Sequence, residues 1–221
     1  PEAMRVLAQA DAAEDAGRAL ASGKAGKLHV AFTSSMLFRG MPDILKAFRE
    51  QRADVSLHLH DLTVREQRDA LQRRLIDGSF STGQYVPPGF ERIPLAPDAF
   101  VCCVPDHHWA ANVDSLEVKA LANEDFILFE REITPARYDN VLAMCLRPGF
   151  RPREVAHVRQ WLTAAMLVSF GLGIAFVPAS LKRAGLKRVR FVPLQGEDTR
   201  TTGFFLWNPA YKKAKQRVFE L

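Results

Sequence analysis

Three consecutive hydroxyl residues, Thr33, Ser34 and Ser35, follow the strand-like run Leu28 to Phe32 and precede a helical stripe of Leu37, Met41, Ile44, Leu45 and Phe48. That order aims a helix N-terminus and three hydroxyls at one spot. Unpaired N–H groups and the positive end of the helix dipole favour a carboxylate or other anion there, without any catalytic side chain. The chemistry read from these residues is reception of a small acid. A nucleophilic role for Ser34 or Ser35 has little behind it: no Gly-x-Ser-x-Gly elbow is present, no motif ties a histidine to either serine, and hydroxyls at a helix start already serve as caps. Binding without chemistry is the simpler account, and no catalytic residue is assigned.

His58 and His60 point to one side of a strand, and His29 can lie on an adjacent one. Metal ligation is the sharper reading of the three. No close acidic or cysteine partner completes a ligand set, so polar strand positions under a helix are preferred, and no metal or cofactor is assigned. His107 and His108 fit a polar turn. Cys102 and Cys103 are neighbours in an apolar strand and face opposite sides of a sheet, which keeps them from bonding to each other. Cys145 falls on the apolar side of a helix. Buried structural thiols are expected at all three positions.

The elements that must hold these residues come from a chain of 221 residues, 48% hydrophobic, long enough for one large or two small domains. No stretch approaches the roughly 18 to 20 apolar residues of a membrane span, since Trp161 to Val177 is broken by Ser169, Gly171 and Gly173. The basic excess, 30 against 25 and net +5, is scattered through Arg73 with Arg74, Lys182 to Arg190 and Lys212 to Arg217. Solvated helix faces explain it; interleaved aromatics and recognition-helix patterns are missing, so nucleic-acid contact is assigned to a part outside this chain. The chain begins at Pro1 without an initiator methionine or a leader-like segment and is read as a fragment of something longer. Three cysteines do not make a disulfide framework, and a reducing cytoplasm fits.

Residues 1–22, rich in Ala, read as an exposed helix with a thin apolar stripe of Val6, Leu7 and Leu20. From residue 28 the pattern alternates: strand Leu28 to Phe32, helix Pro42 to Arg49, strand Val55 to Leu62, helix Val64 to Arg73, strand Leu75 to Ser81. Alternating βα units argue for a parallel sheet. Thr63 with Glu66 three residues on is a capping-box pattern that places a second helix N-terminus straight after a strand. A Pro-containing stretch, Val86 to Pro97, leads to a second βα series: Ala99 to Val104, Phe126 to Phe129, helix Pro135 to Leu146, Val155 to Val158, helix Gln160 to Phe170 stopped by Gly171, and Ile174 to Val177. Gly203 to Trp207 reads as a strand, and Tyr211, Ala214, Val218 and Leu221 share a face of a terminal helix. Core is the default for Met41, Ile44, Phe48, Trp161, Met166, Leu167 and Phe170, with an oligomer face as the alternative.

Several of these segments carry a family resemblance: Leu28-His29-Val30-Ala31-Phe32 with Pro42, Leu45 and Phe48 behind it; Leu75-Ile76-Asp77-Gly78; Pro105-Asp106-His107-His108-Trp109-Ala110; and Leu167 to Pro178, which contains Gly171-Leu172-Gly173-Ile174-Ala175. In this order and spacing they resemble the regulatory region of LysR-type transcriptional regulators over essentially the whole chain. The nearest subgroup governs breakdown of benzoate, catechol and chlorinated aromatics. The resemblance implies an α/β fold of two Rossmann-like lobes, periplasmic-binding-protein-like (type II), joined by two crossover strands with an effector between them. Residues 1–25 would then end a linker helix, 26–97 and 195–221 form lobe I, and 98–194 form lobe II. The family's winged helix-turn-helix domain is absent from the chain.

Carried over by position, the resemblance implies an effector pocket with Thr33, Ser34, Ser35 and Met36 at the first junction, Thr63 and Val64 at the second, and Thr82 after the third strand. The other lobe adds Ile133, Thr134, Pro135, Ala136, Arg137 and Tyr138, with Thr134 an N-cap and Pro135 the first helical residue. Val64 stands where a hydroxyl residue is commonly expected, and Thr82 where muconate-responsive members carry arginine; both count against a dicarboxylate. Arg137 and Tyr138 restore one charged and one aromatic contact, a surface ion pair being the ordinary use of such an arginine. Arg74 replaces the usual glycine before the third strand.

The partners implied are a small organic or aromatic acid, DNA through the missing domain, further copies of the chain in a homodimer or tetramer, and RNA polymerase, with no membrane. The rival classes are a periplasmic-type solute-binding protein and a two-lobed enzyme acting on a small acid.

Overall fold

A computed structural model describes residues 26–82, 86–132, 135–196 and 199–209 of the chain. The expected helix over 1–22 and the helical face of Tyr211, Ala214, Val218 and Leu221 lie outside these residues. In chain order the elements are β1 (Gly26–Phe32), a single 3-10 turn (Ser34–Leu37), α1 (Met41–Gln51), β2 (Val55–Asp61), α2 (Val64–Gln72), β3 (Gly78–Ser81) and β4 (Glu91–Pro94). These are followed by β5 (Phe100–Pro105), β6 (Asp125–Phe129), α3 (Pro135–Leu146), β7 (Arg153–Val158), α4 (Trp161–Ser169), β8 (Ala175–Pro178), β9 (Val189–Pro193) and β10 (Phe204–Trp207). The chain divides into two compact units, one running to Ala96 and resuming at Thr202, the other Pro97–Thr201.

In the first unit five strands pair in the order β2-β1-β3-β10-β4, with β1, β2 and β3 parallel and β10 antiparallel to both neighbours. Successive residues of a strand face opposite sides, so β1 turns Leu28 and Val30 to one layer and Ala31 to the other. Met41, Leu45 and Phe48 recur at helical spacing along α1 and pack with Leu28, Val30, Met36, Val55 and Phe80. Across the sheet Ala31 meets Ala70, Leu71, Ile76 and Leu206. Burying a large apolar side chain in such a layer stabilises by about 1.5 to 3 kcal/mol, so these two clusters fix both helices against the sheet.

The stripe from Leu37 to Phe48 is not one helix. Gly40 takes a φ of 89° as the N-cap of α1, and Pro42 sits in the first turn. A helix begun at Ser35 would bury Pro42 in its interior, where it removes a hydrogen bond and clashes with the preceding turn. The third strand is likewise shorter than expected. Arg74 closes α2 in the left-handed region at φ 63°, and Leu75 N–H bonds back to Ala70 C=O at 2.9 Å, so Leu75 to Asp77 are spent on the turn.

The second unit centres on β5, buried along its whole length and antiparallel to both β8 and β9. β6 and β7 pair in parallel, and a bridge from Phe126 to Ile174 ties β6 to the residue before β8. The expected all-parallel arrangement is therefore mixed in both units. β4 and β9 were not read from the sequence: every residue of β4 is exposed, and β9 begins inside the basic stretch Lys182 to Arg190. The return to the first unit falls after Thr201 and not at 195, because Thr199 Oγ1 bonds Phe100 N–H at 3.1 Å and Thr201 pairs with Asp98, keeping 195–201 with the second unit.

Candidate functional site

Parallel pairing brings the C-terminal ends of β1, β2 and β3 side by side: Leu62 N–H bonds Phe32 C=O at 3.0 Å and Thr33 N–H bonds Phe80 C=O at 3.2 Å. Residues 33–36, 63–64 and 82 therefore gather at one end of the first unit's sheet, where open α/β sheets hold ligands. Thr33 and Ser35 are 7% and 6% exposed, with Thr33 Oγ1 and Ser35 Oγ 3.1 Å apart in a hydrogen bond that either can donate. Ser34 and Thr82 are half-buried. Met36 belongs to the core, fully buried among Met41 and Phe80, and its side chain presents nothing to this end of the sheet. Sequence reasoning missed Ser81, a buried hydroxyl one residue before Thr82. The signal was present in Gly78-Ser79-Phe80-Ser81, where alternation puts Ser81 opposite the core residue Phe80.

The helix termini differ from expectation. Ser34–Leu37 is a single 3-10 turn whose Met36 N–H is already bonded to Thr33 C=O at 2.8 Å, so no long helix aims its dipole at Ser35. α2 does begin at Thr63, but the chain's own carboxylate fills that terminus. Glu66 Oε2 accepts from Thr63 N–H at 2.8 Å and from Thr63 Oγ1 at 2.7 Å, and these bonds hold the Glu66 carboxyl below its ordinary value. Val64, the first residue of α2, is exposed. This end of the sheet thus offers uncharged hydroxyl donors and acceptors.

In the second unit, Pro135 opens α3, while Ile133, Thr134 and the side chain of Ala136 lie outside the described residues. Arg137, the third residue of α3, lays its guanidinium carbon 5.2 Å from the Trp161 ring centre and 5.7 Å from that of Phe129. Burial lowers its pKa from the ordinary arginine value, yet a guanidinium keeps its charge near neutral pH. Among the described residues Arg137 makes no ion pair, the ordinary use of such an arginine; its contacts are with the two rings. The exposed pairs nearby are Arg131 with Asp139 at 3.1 Å and Arg159 with Glu130 at 2.9 Å. Tyr138 is committed within the unit: its hydroxyl donates to Glu154 Oε1 at 2.8 Å, which raises its pKa, and Glu154 Oε2 meets His157 Nε2 at 2.7 Å.

Other sequence candidates resolve as follows. His29 stacks on His58 at 4.8 Å and on His60 at 5.4 Å, with His29 Nδ1 and His60 Nε2 3.1 Å apart. Among the described residues no group of three or more His, Cys, Asp or Glu side chains is placed to hold a metal ion. All three cysteines are buried and unbonded. Ser35 has Thr33, not an imidazole, as its hydroxyl partner. Met41, Phe48 and Trp161 are core, whereas Ile44, Met166 and Phe170 are exposed, Phe170 by 70%. Among the described residues no helix is long and apolar enough to cross a membrane.

Comparison with known proteins agrees with this architecture. Residues 21–219 match the LysR substrate binding domain. The chain is 30% identical over 207 residues to the uncharacterized HTH-type transcriptional regulator YnfL of Escherichia coli (strain K12), covering 93% of this chain and 70% of that protein. It is 30% identical over 184 residues to the HTH-type transcriptional regulator CatR of Pseudomonas putida, covering 81% of this chain and 62% of that protein. Among solved structures, the BenM effector binding domain with its effector benzoate superposes with a TM-score of 0.74 at 23% identity, over 87% of this chain and 89% of that one.

Proposed function

The chain belongs to the LysR substrate binding domain family, the effector-binding region of LysR-type transcriptional regulators, and from that premise we propose that it senses a small organic or aromatic acid and leaves it chemically unaltered. The observation that carries this reading is the buried Thr33 and Ser35 hydroxyl pair where three parallel strands end, with Ser81 and Thr82 alongside. Thr63 and Val64 border it. BenM, a domain of like fold, has benzoate as its effector, and this supports an aromatic acid here.

The mechanism is allosteric. An effector shifts an equilibrium only as far as its affinities for two arrangements differ, and that difference alters how the DNA-reading domains are presented. The working protein is a cytoplasmic homodimer or tetramer, contacts DNA through a winged helix-turn-helix domain outside this chain, and has RNA polymerase as a further partner. It carries out no reaction.

A thermal-shift screen of aromatic and aliphatic carboxylates tests this, because a ligand bound only by the native form raises its melting temperature. Ser35→Ala is expected to weaken binding of a hit by roughly 1 to 3 kcal/mol, the cost of a lost hydrogen bond to an ionised group. Unchanged calorimetric affinity removes Ser35 from the site. Turnover of any screened compound moves the protein to the enzyme class.

A further inference from the structure

The basic stretch from Lys182 to Arg190 has no part in the site described above. No acidic residue occurs between Glu154 and Glu197, so Lys182, Arg183, Lys187, Arg188 and Arg190 have no carboxylate near them in sequence. All five are exposed, and among the described residues Lys182, Lys187, Arg188 and Arg190 make no ion pair. Arg131, Arg153 and Arg159 of the same unit are paired with Asp139, Asp125 and Glu130. Asp106 is brought alongside by its N–H, which bonds Arg188 C=O at 3.1 Å, but its carboxylate lies 3.4 Å from His107 Nδ1. Ordinary uses account for part of the stretch. Lys182 and Arg183 close the 3-10 segment Ala179–Ala184, where a helix C-terminus favours cations, and Arg190 lies on β9, an edge strand that a charge guards against stray pairing. Neither use covers Lys187 and Arg188. Arg188 sits at φ 62°, in the left-handed region where glycine carries no penalty and arginine does. A long cation kept at a strained, exposed position without a partner calls for an anion from outside the chain.

We propose that this surface of the second unit rests on the phosphate backbone of DNA, a sequence-independent contact in addition to the one made by the DNA-reading domain. It goes beyond the effector reading and does not depend on it. Chemistry favours phosphate: lysines and arginines without interleaved aromatics suit the backbone contacts that position a protein, and have nothing to stack on bases. Reach agrees. Lys182 and Arg190 stand at most about 29 Å apart even in a fully extended chain, and the bond from Gly185 N–H to Lys182 C=O at 3.1 Å folds the stretch shorter. One turn of duplex is about 34 Å, so all five cations can address the same face of it. Proximity separates DNA from an acidic protein surface. The chain is the regulatory part of an HTH-type family, and a unit tethered to a DNA reader meets duplex at high effective concentration, so a weak surface suffices.

The test titrates the 221-residue chain against a fluorescent duplex of about 20 base pairs, roughly two helical turns, by polarisation between about 20 and 200 mM salt. A surface variant carries Lys182→Gln, Lys187→Gln and Arg190→Gln. A charge-matched control carries Lys46→Gln, Arg49→Gln and Arg65→Gln on α1 and α2. The surface variant is expected to bind at least about fivefold more weakly at low salt and to lower the salt slope by about 1 to 3, since each phosphate contact contributes about 0.9. The control is expected to stay within about twofold of the wild type. Equal losses in the two variants, no binding by the wild type at low salt, or different affinities for duplexes of unrelated sequence overturn the proposal. A tighter complex with a poly-glutamate peptide also overturns it and makes the surface a site for an acidic protein. Arg188→Gly removes a cation and the backbone strain together: its denaturation midpoint is expected to hold or rise while duplex affinity drops about twofold or more. Unchanged affinity in that variant overturns the proposal, and it decides alone if the surface variant does not fold. None of these results touches effector binding, which the carboxylate screen reads separately.

Discussion

Glu66 and Thr63 close a reciprocal capping box: the carboxylate accepts from the Thr63 backbone and hydroxyl at 2.8 and 2.7 Å, and Glu66 N–H returns a bond to Thr63 Oγ1 at 3.3 Å. This neutralises the α2 terminus from within and ties the helix start to the end of β2. Thr63→Ala is expected to cost about 1 kcal/mol of unfolding free energy, the usual loss for an N-cap. Urea denaturation checks it. An unchanged midpoint would mean that the box contributes nothing beyond what water provides.

Glu124 gives a pH signature. Burial disfavours its charge, but the Trp109 indole N–H at 2.8 Å and His108 Nε2 at 3.2 Å outweigh that and hold the carboxyl below its ordinary value. His108 Nδ1 accepts from Ala110 N–H, which leaves the proton on Nε2, facing the carboxylate. A group whose folded-state pKa is depressed stabilises the fold above its unfolded value, and loses that contribution as pH falls through the lower folded value. Stability measured by denaturation from pH 6 downward should therefore drop in the wild type. Glu124→Gln should be less stable at pH 6 and show a shallower drop, with Trp109 fluorescence changing over the same window. Parallel curves for the two proteins would remove the linkage.

How far the sequence could be read depends on where the information lies. Helix α3 was legible to the residue, because Pro135 marks its start and the apolar periodicity runs to Leu146. Gly171 likewise stops α4 at a φ of 76°. What failed was non-local or strained. Gly40 in the left-handed region splits Ser35 from α1; Arg74 makes the same kind of turn without glycine's freedom; and β4, with no buried side, has no alternation to detect. In the site, the hydroxyls of residues 33–35 were read from composition and order. The occupation of the α2 terminus by Glu66 followed from a motif already seen, and its consequence for anion binding emerged from geometry. Arg137 on two aromatic rings joins residues 129, 137 and 161, a separation no local pattern carries.

The thiols are predicted to be inert. Cys102, Cys103 and Cys145 are buried, and desolvation pushes Cys103 and Cys145 up to about 12 and Cys102 upward as well. Thiolate is the reactive form, so at pH 8 almost none is available. Titration with a chromogenic disulfide reagent should find no fast-reacting thiol in the folded protein and three after denaturation in guanidinium. One rapid thiol in the native state would reopen a redox role.

Gly173 is predicted to be the least replaceable of the glycines that end the α4 to β8 turn. Its φ is 142°, a region that side-chain-bearing residues rarely enter, and a Cβ placed there would stand 2.6 Å from the carbonyl oxygen of Asp125. That same oxygen accepts the Ile174 N–H at 2.8 Å, so the carbonyl cannot retreat without loosening the bond that ties β6 to the residue before β8. Strain and steric overlap act together, and Gly173→Ala should lose roughly 3 kcal/mol or more. At Gly171 the space is open, the nearest atom to an added Cβ being His107 at 3.9 Å, so Gly171→Ala meets only the left-handed backbone penalty of about 1 to 2 kcal/mol. Denaturation midpoints of the two variants side by side distinguish the causes. Equal losses would show that the carbonyl of Asp125 moves aside freely and that backbone conformation alone selects glycine at both positions.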